Sequence, residues 1–213
     1  MIPRRPRLGR RFFDRPTVTV ARELLGAHLG VGPAGRRRWV EIVECEAYVA
    51  DDPANHAYRG MTRRNRSMFG RPGTLYIYRI HRVVCANAVT RPGEAVLLRA
   101  ARPLGPMADS TRGPGRLARA LGFRLADDGT DMVDSPTIVW YGRREIPPIV
   151  AGPRVGIRRA APVGDPGQPL GLVTAAPGRS VATYGRLSFA QSYRRRWAVS
   201  PKPQEEQTFF WRW

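Results

Sequence analysis

The run Arg38-Trp39-Val40-Glu41-Ile42-Val43-Glu44-Cys45-Glu46-Ala47-Tyr48-Val49 has the β-branched and aromatic content of a strand, yet it carries acids inside the apolar stretch. A carboxylate drawn into a sheet is costly unless something satisfies or uses it. Side chains alternate across a strand, so strict alternation puts Val40, Ile42, Glu44, Glu46 and Tyr48 on one side. An acid and an aromatic ring sharing a face can form the floor of a pocket for a flat ligand. His56 follows across an Asp51-Asp52-Pro53 turn. In a chain of formal charge +19, this combination points to chemistry on a nucleobase.

The excess of 36 basic over 17 acidic residues implies an anionic partner, nucleic acid first. Lys202 is the only lysine, so the excess is almost wholly arginine. Genome-wide nucleotide bias also enriches arginine, although its planar fork binds phosphate well whatever its origin. Cys45 and Cys85 both lie in apolar strand-like runs, as buried reduced thiols do in a cytoplasmic protein. Three histidines with no Cys-x-x-Cys give no ligand spacing for zinc, and no metal or organic cofactor is expected. No apolar core of a signal peptide follows Met1-Ile2-Pro3-Arg4-Arg5, and no stretch approaches the ~20 apolar residues of a membrane span. The expectation is a soluble cytoplasmic monomer, nucleoid-associated if bacterial.

Length and pattern predict one α+β domain with a curved, mainly antiparallel β-sheet flanked by short helices. Phe12-Phe13 is a candidate anchor for the basic N-terminal stretch. Thr17 is a candidate cap for a helix from Val18 to Leu25, and Gly30 to Gly35 reads as a turn. Residues 50–73 read as a long functional loop. Leu75–Ile80, with Tyr76, Tyr78 and Ile80 facing one way, and Val83–Val89 read as successive strands. Glu94–Ala101 follows, with Leu97 and Arg99 on one face. A helix opens at Gly113-Pro114-Gly115 and stops at Gly122. Further strands are expected around Ile138-Val139-Trp140 and Arg154-Val155-Gly156-Ile157. Residues 1–160 read as the catalytic domain. Residues 161–213 read as a divergent basic C-terminal segment, either part of the same domain or partly disordered.

Several blocks in order resemble the alkyladenine (3-methyladenine) DNA glycosylase family. They are Phe12-Phe13-Asp14-Arg15-Pro16, Val43-Glu44-Cys45-Glu46-Ala47-Tyr48, Arg64-Asn65-Arg66-Ser67-Met68-Phe69 and Pro72-Gly73-Thr74-Leu75-Tyr76-Ile77-Tyr78. Cys85-Ala86-Asn87, Val96-Leu97-Leu98-Arg99-Ala100, Gly113-Pro114-Gly115-Arg116-Leu117 and Arg154-Val155-Gly156-Ile157 continue the series. No single block is specific; the ordered set is.

The resemblance implies a base-excision repair enzyme that flips alkylated purines out of double-stranded DNA. It hydrolyses the N-glycosidic bond and leaves an abasic site. 3-Methyladenine is the foremost substrate, with hypoxanthine a further candidate. By the same resemblance, Glu46 is the general base, Arg99 touches the target phosphate and the water, and the Val155 carbonyl helps hold that water. Tyr48, His56 and Tyr78 sandwich and hydrogen-bond the purine, and Asn87 discriminates at its edge. Met68 lies near the lesion's backbone, and the basic loop holding Arg64 and Arg66 is a candidate DNA contact. The stretch between Tyr78 and Asn87 is one residue shorter than the family pattern. Ile80-His81-Arg82 occupies the hairpin tip without glycine, which makes His81 the candidate wedge. The aromatic final strand of the family finds no match after Ile157.

Two rivals belong to other classes. One is a nucleic-acid-binding homologue with weakened or lost catalysis. The other is a metal-dependent nuclease using Glu44, Glu46, Asp51 and Asp52 as ligands.

Overall fold

The computed structural model describes residues 5–80, 82–143, 147–152, 154 and 171–174. Its framework is one curved sheet in which every paired strand is antiparallel. Strands β3 (Leu75–Ile80), β4 (Val83–Arg91) and β5 (Glu94–Pro103) form a meander. Strand β5 then pairs with the acid-bearing strand β2 (Arg38–Tyr48), whose first half pairs on its other edge with β1 (His28–Val31). Strand β6 (Ile138–Tyr141) continues the sheet beyond β1. The second half of β2 pairs with β8 (Gly171–Thr174), which also pairs with β7 (Ile149–Gly152).

One face of the sheet carries the main core. Leu75 and Ile77 of β3, Ala86 and Ala88 of β4, and Val96 and Leu98 of β5 point into it. Helix α2 (Thr17–Leu24) contributes Val20, Ala21 and Leu24, and helix α3 (Pro114–Leu121) contributes Leu117, Ala118 and Leu121. In each helix the last of these lies three and four residues after the other two, the spacing that gives a short helix one apolar stripe. Helix α1 (Arg10–Phe13) seats the fully buried Phe13 edge-on against Trp140, with ring centroids 6.1 Å apart. The anchoring role expected of Phe12-Phe13 is thus carried by Phe13.

The alternation expected for β2 does not survive along its whole length. The register with β5 slips between Ile42 and Glu44 and again between Glu44 and Cys45. A bulge inserts a residue and reverses which side later residues face. Val40 and Ile42 therefore join Cys45 and Ala47 in the main core, while Glu44, Glu46 and Tyr48 turn to the opposite face. The carboxylates do not share a side with Val40 and Ile42, and it is the slip that frees them from the core.

Other expectations are corrected locally. Thr17 does not cap α2: Pro16 holds the cap position, and the Thr17 hydroxyl bonds Thr90 Oγ1 at 2.7 Å and the Glu94 carboxylate. Gly30 opens no turn but lies inside β1, where a Cβ would fall 2.6 Å from the Trp39 ring. Residues 50–73 are an ordered series of turns with a 3-10 turn at Arg66–Phe69. Buried asparagines hold it in place of a ladder. Asn55 Nδ2 donates to the carbonyls of Val49 (2.7 Å) and Gly93 (2.9 Å), and Asn65 Nδ2 to those of His56 (2.8 Å) and Gly60 (3.1 Å). Helix α3 ends as expected, at a left-handed Gly122 with φ 79°. Strand β8 lies in the segment read as divergent and basic, residues 161–213. The strand expected over Arg154–Ile157 falls outside the described residues, except for Arg154 itself.

Candidate active site

On the face away from the main core, strands β2 to β5 gather polar and aromatic side chains. Glu46 is 1% exposed, yet it is satisfied: Arg99 Nη1 lies 3.2 Å from Oε1, and the Tyr48 hydroxyl donates to Oε2 at 3.0 Å. Arg99 also donates from Nε to Glu44 Oε1 at 2.9 Å. One guanidinium thus links two buried carboxylates, and its planar fork suits this where a lysine would not. Replacing either partner alone would leave a buried charge exposed to low dielectric, which costs about 3–5 kcal/mol. Burial and then the Glu46 charge raise the Tyr48 pKa far above that of free tyrosine, so its hydroxyl stays a donor.

A second group sits beside this one. His56, from the asparagine-pinned loop, shares a 2.8 Å hydrogen bond between Nδ1 and the Tyr76 hydroxyl. Its ring meets Tyr78 edge-on at 4.4 Å between centroids, and Tyr76 and Tyr78 lie 5.7 Å apart. Burial against these rings lowers the His56 pKa, although the residue keeps an exposed side. Burial raises the pKa of both tyrosines, and Tyr78 lies directly across the β3–β4 ladder from Cys85. Asn87 is buried and donates to the Tyr76 carbonyl at 3.0 Å, which fixes the attitude of its amide on the floor of the site.

Glu46, Arg99, Tyr48, His56, Tyr78 and Asn87 are therefore brought to one region. Other expected site residues are not. Met68 is 2% exposed and packs with Ala57, Tyr76, Val89 and Ala95 under the site. Its backbone N–H bonds the Asn65 carbonyl and its own carbonyl accepts from Gly93, so it supports the tyrosines from behind. Arg64 and Arg66 are exposed on the loop surface. His81 and Val155 lie outside the described residues. The four carboxylates of the nuclease reading are not pooled: Arg99 occupies Glu44 and Glu46, Arg154 occupies Asp52, and Asp51 is exposed. Among the described residues, no three His, Cys, Asp or Glu side chains form a metal-holding group.

Sequence reasoning assigned no role to three contributors. Tyr76 is the hydrogen-bond partner of His56, and its alternation with Tyr78 was the available signal. Cys85 lies on the face of Asn87, two positions away along β4, and is a free buried thiol like Cys45. Arg154, 6% exposed, pairs with the fully buried Asp52 through both terminal guanidinium nitrogens, including Nη2 to Oδ1 at 2.9 Å. It also donates to the Ala47 carbonyl at 3.2 Å and lies 4.5 Å above the centre of the Tyr48 ring. No local pattern joins residues so far apart in the chain.

Among the described residues, no helix is long and apolar enough to cross a membrane. A protein of Rhizobium etli assigned as a 3-methyladenine DNA glycosylase is 46% identical over 165 residues, covering 71% of this chain and 80% of its own length. Proteins assigned the same way in Rhodopseudomonas palustris and Methanoculleus marisnigri are 44% and 43% identical, covering 81% and 88% of their lengths and 73% and 70% of this chain. The sequence profile of the methylpurine-DNA glycosylases matches residues 11–170, a span that holds every member of the site just described. On that match and these identities, the chain belongs to the methylpurine-DNA glycosylase family.

Proposed function

We propose that the protein excises alkylated purines from duplex DNA by hydrolysis, with Glu46 activating the attacking water and 3-methyladenine as the foremost substrate. Hypoxanthine is a further candidate. Family membership supports the glycosylase activity on alkylated purines. The observation that supports the mechanism is a single carboxylate, Glu46, held between a guanidinium and a phenol beside a wall of aromatic rings.

An alkylated purine carries positive charge, so its bond to the sugar is already weakened. Tyrosine faces favour such a cation over a neutral base. As the base departs, the sugar becomes oxocarbenium-like, and an adjacent carboxylate stabilises that charge while orienting water. Extruding the nucleotide costs a few kcal/mol, which contacts to flanking phosphates offset. In this reading Tyr48, Tyr78 and His56 receive the base, Asn87 reads its edge, and Arg99 orients Glu46 and meets the target phosphate. The Val155 carbonyl completes the water site, His81 fills the space left in the helix, and Arg64 and Arg66 grip the backbone.

Water is the nucleophile. Strand-nicking glycosylases use an amine to form a Schiff base, and the sole lysine, Lys202, lies beyond the residues that match the family. The test is incubation of the purified protein with methylated duplex DNA in the presence of chelator, with assay for free 3-methyladenine. Released base with an intact phosphodiester backbone supports the reading; backbone cleavage, or activity abolished by chelator, rejects it. Glu46→Gln should keep lesion binding and lose at least about 100-fold in base release, the usual range for a general base.

A further inference from the structure

Within the aromatic wall, the two ring faces of Tyr48 are not equivalent. Tyr48 is tied at its hydroxyl to Glu46, and one of its faces is covered by the Arg154 guanidinium. Arg154 is itself fixed. Both its terminal nitrogens bind Asp52, one of them also binds the Ala47 carbonyl, and Asp52 is wholly buried. Asp52 is held in turn by the loop, its Oδ1 accepting from the Ala54 N–H at 2.9 Å and its carbonyl from the Asn55 N–H. Burial alone would lower the Arg154 pKa, but the hydrogen bonds and charge of Asp52 raise it, so the guanidinium stays charged.

We propose that Arg154, clamped by Asp52, is a positioning residue that seals one face of Tyr48 and leaves the other as its only stacking surface. The proposal rests on the glycosylase reading above and deepens it. An ion pair that served only to tie the loop down would need no ring beneath it. A planar guanidinium lying over a phenol adds a cation–π contact that fixes ring tilt, and fixing the tilt fixes where the hydroxyl meets Glu46. Asp52, Arg154, Tyr48 and Glu46 thus form a chain of contacts from the loop to the carboxylate. Lysine in place of Arg154 would keep the charge that satisfies Asp52 but lose the planar cover.

A double-mutant cycle tests this. Single-turnover base release from a methylated duplex is measured for the wild type, Arg154→Lys, Tyr48→Leu and the double variant. The expected results are at least a tenfold loss for Arg154→Lys alone and no further loss when it is added to Tyr48→Leu, because the residue acts through the ring. Additive losses would overturn the proposal by making Arg154 a general prop of the fold. Where Arg154→Lys fails to fold, the pair Arg154→Met with Asp52→Asn removes both charges together and takes its place in the cycle. A second readout needs no activity: the Arg154 Nε–Hε proton resonance should be shifted upfield by the Tyr48 ring and revert in Tyr48→Leu. An unshifted resonance overturns the proposal. A wild type that releases no base refutes the proposed function instead, and the ring-current measurement then decides the placement of Arg154 by itself.

Discussion

In the proposed mechanism Tyr48 does two jobs at the scale of single residues, and they can be separated. Its ring offers a stacking face, and its hydroxyl donates to Glu46 at 3.0 Å. Tyr48→Phe keeps the ring and removes the donor. A hydrogen bond to a charged acceptor is worth about 1.5–3 kcal/mol, so base release should fall roughly 10–100-fold in single-turnover kinetics with little change in lesion binding. His56 makes a different prediction. Burial lowers its pKa from the ordinary 6.5, so the folded state favours the neutral ring. The sign follows: this contribution to stability is present above pH 6.5 and is lost as pH falls through the lowered value in the folded protein. His28 is shifted the same way by burial, so wild type alone cannot separate them. Thermal midpoints between neutral and mildly acidic pH should therefore fall less steeply for His56→Gln than for wild type.

Among the elements, β2 decides most. Its register slip carries Glu44 and Glu46 to the site face while Cys45 and Ala47 fill the core. Three neighbours, β1, β5 and β8, then hold this one strand, with β8 directly beside Glu44, Cys45 and Glu46. A carboxylate on such a strand is held rigidly, as the role proposed for Glu46 requires. Strand β1 is sensitive at Gly30, where a Cβ would meet three atoms of the Trp39 ring between 2.6 and 2.8 Å. Gly30→Ala should displace that ring and destabilise the protein by about 1–3 kcal/mol, measured by urea unfolding. One helix terminus was legible and another was not. Gly122 after the last apolar position of α3 marks the stop, because a left-handed residue there suits glycine. Thr17 was misleading, because a threonine that resembles a cap can equally spend its hydroxyl on tertiary partners.

Taken whole, the molecule sets a core of aliphatic residues with Phe13 and Trp140 against a polar, aromatic opposite face. Trp140 is 1% exposed and packs on Phe13, so Trp140→Ala should cost about 3–5 kcal/mol and is expected to leave the protein marginally folded. The charge of +19 belongs to this scale as well. Binding to undamaged duplex should weaken steeply with salt, and log affinity should fall by about 0.9 per phosphate neutralised for each unit of log salt. Arg64→Ala and Arg66→Ala should each flatten that slope by about one unit if each meets a phosphate, and leave it unchanged if they face only solvent.

Much of this was present in local order along the chain. Alternating side chains put Tyr76 with Tyr78 and Leu97 with Arg99, and an ordered set of short blocks pointed to the family and to six residues that meet in space. These are short-range properties, set by strand geometry and residue chemistry. The rest depended on contacts between distant segments. The slip that reverses the faces of β2 is defined only against β5, and the Asp52–Arg154 clamp joins residues 102 positions apart. The placement of β8 beside Glu46 is likewise long-range. Local pattern proposes which side chains can share a face; only packing and pairing across the sheet decide which face that is.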